Sequence, residues 1–294
     1  MFIFGINMSN TIKGSMLYLT AMFVTVTLNI FVKSAIVKFN LPTIEVLCCR
    51  QAIIVLFLLP LMIKRKFNFF DKDSFKPNIF RNLLFSASTF AMYCGMARVP
   101  LNDATAITFL APIIGSVLAV KLLHEKASKT IWIALILAMI GVLVVKTPNF
   151  NDNENILFGY GALMIAVIIR GYVVILNKKL ADKFDTMTML FYTHIIMLLT
   201  SLLFAPQFIA IPLESMKYIA GASLLFFIEY YLIFKAYKLC KATTLQPFDF
   251  SRLLYMMIMS NLLLGETTNS NQVIGGLIIV SGYAIMLLKK KITS

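Results

Sequence analysis

Ten long apolar segments follow one another along the chain, and short polar loops separate them. A helix needs about 20 mostly apolar residues to cross the roughly 30 Å hydrocarbon core of a bilayer. The pattern therefore predicts an all-α membrane protein with ten transmembrane helices. The predicted spans are residues 14–32, 43–63, 80–97, 101–122, 130–146, 157–177, 186–205, 216–237, 243–264 and 271–289. The longest polar connections, 64–78 and 147–155, leave no room for a soluble domain, so we expect residues 1–294 to form a single transmembrane domain.

The composition agrees with a membrane protein and changes how the charge is interpreted. Hydrophobic residues make up 60% of the chain and charged residues 14%, whereas soluble domains are about half apolar and about a quarter charged. A net charge of +14 would suggest nucleic-acid binding in a soluble protein. Here the basic residues lie between apolar blocks, which is typical of cytoplasmic loops and predicts no nucleic-acid partner.

The distribution of Lys and Arg predicts the orientation in the membrane. With the N-terminus in the cytoplasm, 19 of the 27 Lys and Arg residues, including Arg81, fall on the cytoplasmic side and 5 on the opposite side. This bias over short loops predicts that both termini are cytoplasmic. The Lys-, Asn- and Ile-rich composition is typical of an AT-rich bacterial genome, so we expect a bacterial inner (plasma) membrane. No cleaved signal peptide is expected, and either Met1 or Met8 is the start.

The two halves of the chain resemble each other. At an offset of 145 residues, Gly14, Lys33, Lys38, Phe39 and Thr43 match Gly159, Lys178, Lys183, Phe184 and Thr188. At an offset of 141 residues, "LLHE" (122–125) matches "LLGE" (263–266), and Gly141 matches Gly282. The repeats are predicted at 14–146 and 157–289, with five spans each. Because five is odd, the second repeat enters the membrane inverted, and inverted repeats bind substrate near the midplane between them.

Five charged residues lie inside predicted spans, where a charge is costly and usually faces the bundle interior. They are Arg50, Arg170, Glu229, Asp249 and Arg252. Asp249 and Arg252 are three residues apart and share a helix face, so they either pair with each other or face a common cavity. Pro247 cannot donate a backbone hydrogen bond and predicts a loosened helix one turn earlier. A structural ion pair beside a kink and a substrate site at a broken helix both stay open.

The three arginines outnumber the two acids, and buried charges need compensation. We therefore predict that a substrate carboxylate or phosphate binds an arginine, and that Glu229 or Asp249 receives a substrate amine or a proton. Glu45, nearer a span end, is an alternative source of the missing negative charge. Tyr93 and Asn29 complete the predicted substrate-binding set.

The remaining polar residues carry weaker signals. His194, near the middle of a span, is either a hydrogen-bonded core residue or a proton-coupling group. Glu125 and Glu266 lie at span ends, where we expect them to cap or lock helices rather than bind substrate. The four cysteines form no CxxC and the two histidines show no ligand spacing, so neither a metal site nor a cofactor is predicted.

Together these features resemble the EamA type of the drug/metabolite transporter superfamily, over nearly the whole chain. The matching residues are Lys33 and Lys178 at the end of the first span of each half, Arg50 early in the second span, and "LAPIIGSVLAVKLLHEK" (110–126), a proline-containing span that ends in Glu. "LLLGE" (262–266) repeats that ending. The ninth span is also similar to that of the family's S-adenosylmethionine carriers in intracellular bacteria, with the basic and acidic positions exchanged at Asp249 and Arg252.

The resemblance implies a ten-helix bundle that moves a small polar metabolite, driven by a gradient. We expect a secondary-active transporter of a zwitterionic or anionic compound, such as an amino acid, a nucleoside or an S-adenosylmethionine-like molecule, working by alternating access. Its partners are then that metabolite and the lipid bilayer, and a homodimer is one compatible assembly. The alternatives are a passive channel and a lipid or polyprenyl-phosphate flippase of the same fold. No GxxxxGK[ST], HExxH or GxSxG motif occurs, so an enzyme is not expected.

Overall fold

The structure, a computed structural model, describes residues 10–64, 72–145, 154–204, 211–264 and 270–292, and the regular structure within those ranges is helical. The α-helices are α1 Asn10–Phe39, α2 Thr43–Lys64, α3 Lys72–Met96, α4 Leu101–Thr108, α5 Ala111–Leu122, α6 Lys129–Val145, α7 Glu154–Lys183, α8 Thr186–Phe204, α9 Met216–Leu239, α10 Ala242–Leu245, α11 Ser251–Leu264 and α12 Ser270–Ile292. Short 3₁₀ helices cover Leu213–Ser215 and Gln246–Phe250. The alternative start Met8 and the span-end acid Glu266 lie outside the described residues.

Every predicted span coincides with a helical stretch, which confirms the all-α membrane fold. Among the described residues, six stretches are long and apolar enough to cross a bilayer: Asn10–Phe39, Thr43–Leu61, Asp103–Leu122, Ile156–Lys183, Thr186–Phe204 and Leu213–Leu239. Two shorter apolar helices, Lys129–Val145 and Ser270–Ile285, correspond to the fifth and tenth predicted spans. Several helices extend beyond the predicted ends. α1 continues past its last apolar turn, where the exposed Lys33 and Lys38 mark the polar interface.

Proline explains why two of the spans are interrupted. Pro112 has no N–H to donate to the carbonyl of Thr108 four residues earlier, and α4 ends at Thr108. In the same way Pro247 cannot complete a helical turn onto Thr243, and the chain tightens into the 3₁₀ helix Gln246–Phe250 before α11 begins. The predicted irregularity around Pro247 is therefore present, and it lies directly beside Asp249.

The outside of the bundle is apolar. Leu203 is 81% exposed and Leu277 is 65% exposed, and other large apolar side chains on α2, α7 and α11 are exposed as well. Such a surface has no favourable contact in water but matches lipid tails, as expected for a protein that faces a bilayer. The interior contains the aromatic side chains of Phe234, Tyr237 and Phe250, all at most 1% exposed.

The helix packing repeats between the two halves. α1 packs extensively on α9, and α7, its counterpart in the second half, packs on α3. A Cβ on Gly14 would lie 2.3 Å from Cys240 Sγ, and a Cβ on Gly159 would lie 2.6 Å from Val99 Cγ2, so only glycine permits either approach. Gly14 and Gly159 are 145 residues apart, and Val99 and Cys240 are 141 apart. These are the same two offsets that the sequence comparison of the halves predicts.

Glu125 joins the first half to the start of the ninth span. Its Oε1 accepts a hydrogen bond from the Ala242 backbone N–H at 2.9 Å, and its Oε2 accepts from the Thr243 N–H at 2.9 Å and from Thr243 Oγ1 at 2.8 Å. These N–H groups have no partner within their own helix, and a carboxylate also interacts favourably with a helix N-terminus. Glu125 is thus a helix cap supplied from another helix pair, which agrees with its predicted role.

Replacing Glu125 with glutamine is expected to lower stability by about 1 kcal/mol, because one carboxylate oxygen becomes an NH₂ group that faces other donors. The apparent melting temperature in detergent should fall by about 2 °C. The matched control is Glu214→Gln, since Glu214 is exposed. Equal melting temperatures for the two variants would show that the cap contributes nothing.

Candidate functional site

α9 carries the residues around which the predicted site is organised. Phe226, Glu229 and Tyr230 occupy its middle, and Glu229 is 7% exposed. Arg50 of α2, 6% exposed, places its guanidinium carbon 4.1 Å from the centroid of the Phe226 ring, a cation–π contact. Ser223 Oγ donates to the Arg50 carbonyl at 3.2 Å and ties α9 to α2 at this level. The guanidinium is therefore fixed against α9.

Arg50 and Glu229 each have a buried polar atom without a partner. Glu229 Oε1 accepts a hydrogen bond from Thr25 Oγ1 of α1 at 2.8 Å. Within the described residues, neither Glu229 Oε2 nor Arg50 Nε has a hydrogen-bond partner. Glu229 interacts electrostatically with Arg50, Arg252 and Arg170, so it lies at the centre of the predicted charges. Unsatisfied buried groups of this kind are costly, and they are common where a ligand completes the hydrogen bonding.

Asp249 and Arg252 pair with each other. Arg252 Nη2 donates to Asp249 Oδ2, and Arg252 Nε donates to the Asp249 carbonyl at 3.2 Å. Tyr18 of α1 donates its hydroxyl to Asp249 Oδ1 at 3.2 Å. Of the two interpretations open from sequence, the ion pair is therefore the one observed. The Arg252 side chain keeps 32% of its surface exposed, against 15% for Asp249, so its guanidinium retains a free face.

The other predicted residues lie around this centre. Arg170 of α7 stands 4.8 Å from the Phe85 ring centroid, and its Nη1 is buried without a hydrogen-bond partner in the described structure. Tyr93 of α3 is 39% exposed and interacts electrostatically with Arg50. Asn29 is exposed and lies one turn beyond Thr25 on the same face of α1. A half-exposed polar group in the middle of a span fits a water-accessible space better than lipid.

Arg81 is a functional candidate that the sequence analysis placed wrongly. It was assigned to the cytoplasmic side, but it lies within α3 and is 1% exposed. Its Nη1 donates to Asn177 Oδ1 at 3.1 Å, and its Nη2 donates to Asn82 Oδ1 at 2.7 Å and Thr193 Oγ1 at 2.5 Å. Its guanidinium carbon lies 5.0 Å from the Phe234 ring centroid.

The neutral partners of Arg81 explain how an arginine is accommodated there, because amide and hydroxyl oxygens replace its hydration. A sequence signal for this site exists in retrospect. Asn78, Arg81 and Asn82 are spaced three and four residues apart, so they share one helix face, and a polar face inside a span predicts an interior position.

The charge balance of the interior is more positive than the sequence count. Arg81 joins Arg50, Arg170 and Arg252 as intramembrane arginines, while Asp249 is already paired with Arg252. Glu45 is also buried, at 6%, and it lies in the first turn of α2. Each of the four arginines lies over a phenylalanine ring, which stabilises a cation but does not neutralise it. This interior therefore favours a solute that brings negative charge.

His194 is a core residue in this structure. It is fully buried, and its Nδ1 lies 2.8 Å from Gln51 Oε1. Its ring also meets the Phe226 ring edge-on, with the centroids 5.4 Å apart. The hydrogen bond matches the simpler of the two roles considered for it, and it orients Gln51 beside Arg50.

Two equivalent phenylalanines meet between the halves. Phe109, at the break between α4 and α5, stacks on Phe250, at the break before α11, with centroids 5.3 Å apart and planes 19° from parallel. They are 141 residues apart, the offset that relates the second part of each half. The two interrupted spans therefore touch at corresponding positions.

Ten helical spans around a buried site of mixed charge define the class: a multi-pass membrane protein that handles a small polar solute. A family model described as the EamA-like transporter family matches residues 12–147 and 157–288, and the chain belongs to that family. Its two matches cover the two halves separately. The protein is thus a membrane transporter and not an enzyme.

Relatives with named functions are more distant. The chain is 28% identical over 213 residues to an S-adenosylmethionine uptake transporter of Rickettsia prowazekii (strain Madrid E), which covers 71% of this chain and 70% of that protein. It is 24% identical over 283 residues to a riboflavin transporter of Vibrio cholerae serotype O1 (strain ATCC 39315 / El Tor Inaba N16961), covering 94% and 93%. A solved crystal structure matches with a TM-score of 0.80 at 14% identity, over 96% of this chain and 99% of that one, which shows a shared fold.

Proposed function

We propose that the protein is a secondary carrier of a zwitterionic metabolite of the amino-acid or S-adenosylmethionine class, working by alternating access in a bacterial inner membrane. The observation that carries the proposal is the pair of buried, opposite and incompletely bonded groups, Arg50 Nε and Glu229 Oε2. A substrate carboxylate would bind the Arg50 guanidinium, and a substrate ammonium would bind Glu229. The two groups belong to different halves of the chain, so substrate contacts both repeats, as alternating access requires.

The surplus of arginine supports the anionic part of this substrate. Arg170 and the free face of Arg252 interact electrostatically with the same glutamate, so a carboxylate arriving here meets a positive field from several helices. A simple cation would meet repulsion from that field. A zwitterion is attracted by the arginines and oriented by Glu229.

The relatives favour S-adenosylmethionine within this class. Proteins named S-adenosylmethionine uptake transporters match in four Rickettsia species, at 26% to 28% identity and over 71% to 73% of this chain. S-adenosylmethionine carries both a carboxylate and an ammonium, whereas riboflavin carries neither. The basic loops at the end where α1 begins support cytoplasmic termini, so uptake would enter at the opposite end.

The test is counterflow in proteoliposomes loaded with unlabelled S-adenosylmethionine. We expect transient accumulation of external labelled S-adenosylmethionine above equilibrium, because a carrier exchanges solutes through one site. Accumulation should be inhibited by S-adenosylhomocysteine and methionine, which share the zwitterionic end, and not by riboflavin. Exchange of riboflavin with no exchange of any zwitterion would overturn the proposal. A rapid decay of the label without accumulation would indicate a channel instead.

A further inference from the structure

A second polar cavity lies beside the charged site, between α2, α3 and α8. Its volume is about 280 Å³, at the small end of ligand pockets, which is enough for one ring system but not for a whole metabolite. Its polar lining consists of Gln51, Ser86, Thr89, Thr200 and Ser201. No Asp, Glu, Lys or Arg contributes to the lining. The cavity therefore fits an uncharged group that forms hydrogen bonds.

The hydroxyl groups of this cavity are arranged as acceptors. Thr89 Oγ1 donates to the Phe85 carbonyl at 2.9 Å, Thr200 Oγ1 to the Ile196 carbonyl at 2.8 Å, and Ser201 Oγ to the Leu198 carbonyl at 2.9 Å. A hydroxyl has one proton and two lone pairs, so these bonds to the helix backbone leave lone pairs for a guest. Thr200 Oγ1 and Ser86 Oγ are also 3.0 Å apart and place their oxygens together. The favoured guest presents O–H or N–H donors.

The remaining lining suits a flat ring. Phe90 and Met197 border the cavity, and an aromatic face and a thioether are both favourable neighbours for a planar heterocycle. Gln51 Oε1 is engaged by His194, and its Nε2 points to Met197 Sδ at 3.7 Å. The amide is thus held in one orientation, with its N–H₂ group on the side of the cavity.

The cavity adjoins the charged site directly. Gln51 follows Arg50 in α2 and lines the cavity. On α3, Tyr93 lies one turn beyond Thr89 and Phe90, and it interacts electrostatically with Arg50. A molecule whose charged end is held by Arg50 and Glu229 can therefore extend a neutral end into the cavity.

We infer that this cavity, bounded by Gln51, Ser86, Thr89 and Thr200, is the subsite for the nucleoside end of the substrate: a neutral ring system with hydroxyl or amino donors. The inference rests on the proposed carrier function and divides its site into two parts. Arg50 and Glu229 bind the zwitterionic end, and the hydroxyl-lined cavity selects carriers' substrates that bear a nucleoside over plain amino acids. The specificity for the whole molecule is the sum of the two.

The test variant is Thr200→Val, which removes the hydroxyl while keeping the shape of the side chain. The matched control is Thr20→Val, since Thr20 makes the same kind of bond, to the Met16 carbonyl at 2.9 Å, on the exposed face of α1. Uptake of labelled S-adenosylmethionine is inhibited either with S-adenosylhomocysteine, which has the nucleoside, or with methionine, which lacks it. We expect Thr200→Val to raise the half-maximal concentration of S-adenosylhomocysteine about 2- to 10-fold and to leave that of methionine unchanged.

A second measurement does not depend on transport. Adenosine alone should raise the apparent melting temperature of purified wild-type protein and of Thr20→Val, and it should raise that of Thr200→Val less. Unliganded melting temperatures report whether the variants fold. Equal sensitivity of Thr200→Val and Thr20→Val to both inhibitors and to adenosine would overturn the subsite while leaving the carrier proposal intact. Absence of zwitterion exchange by the wild type would overturn both together.

Discussion

Replacing Arg50 with glutamine is expected to reduce S-adenosylmethionine uptake about 100-fold while leaving the protein folded. The guanidinium is 6% exposed and its Nε has no partner among the described residues, so the variant loses a charge-assisted bond that is formed chiefly with substrate. Losing one partner of a buried charged contact costs about 2–5 kcal/mol in binding. The measurement is the initial rate of uptake into proteoliposomes, normalised to the amount of folded protein.

The control for this prediction is Arg98→Gln. Arg98 also lies over a phenylalanine ring, 5.3 Å from the Phe158 centroid, but it is exposed at the end of α3. It should keep wild-type uptake. Similar rates for Arg50→Gln and Arg98→Gln would remove Arg50 from the substrate site.

Glu229→Gln separates the two ends of the substrate. A glutamine can still accept the hydrogen bond from Thr25 but carries no charge to balance an ammonium. The variant should lose the preference of the wild type for methionine over its desamino analogue as an inhibitor, because that preference comes from the ammonium. Retention of the full preference would assign the ammonium to another group.

Replacing Arg81 with methionine is expected to destabilise the protein strongly. The variant leaves Asn82, Asn177 and Thr193 with acceptors in a site that water does not reach, since Arg81 is 1% exposed. Each buried acceptor without a partner costs about 1–3 kcal/mol, so a total of about 3 kcal/mol or more is expected. The apparent melting temperature in detergent should fall by about 6 °C or more.

Arg81→Lys should be destabilised as well, because an ammonium cannot reproduce the planar fork that serves α7 and α8 together. Arg98→Met is the matched control, and its melting temperature should stay within about 1 °C of the wild type. A stable Arg81→Met protein would mean that the amide and hydroxyl groups find other partners, and that the arginine is kept for transport rather than for folding.

Sequence reasoning captured the spans and the breaks because both depend on local patterns. Hydropathy locates the helices, and the proline at position 247 marks an irregular turn without any knowledge of the neighbours. The spacing of Asp249 and Arg252 likewise limited them to pairing or to sharing a cavity, and pairing is what the structure shows.

The parts of the site that sequence reasoning missed depend on contacts between distant segments. Arg81 looked like a loop residue because it stands at the start of a predicted span, but its partners Asn177 and Thr193 lie 96 and 112 residues away. The bond from Thr25 to Glu229 joins residues 204 apart. The hydroxyl-lined cavity was equally hidden, because serine and threonine bonded to their own helix are tolerated in apolar segments and leave no hydropathy signal.

The stacked rings of Phe109 and Phe250 occupy matching places in the two repeats, so the pseudo-twofold axis of the bundle passes between them. A motion that exchanges the conformations of the halves leaves such an axis stationary and displaces the periphery most. Fluorine labels on these two rings should therefore report one unchanging environment throughout a transport cycle. A spin label near Glu125, at the far end of the bundle, should report two distances whose populations shift with substrate.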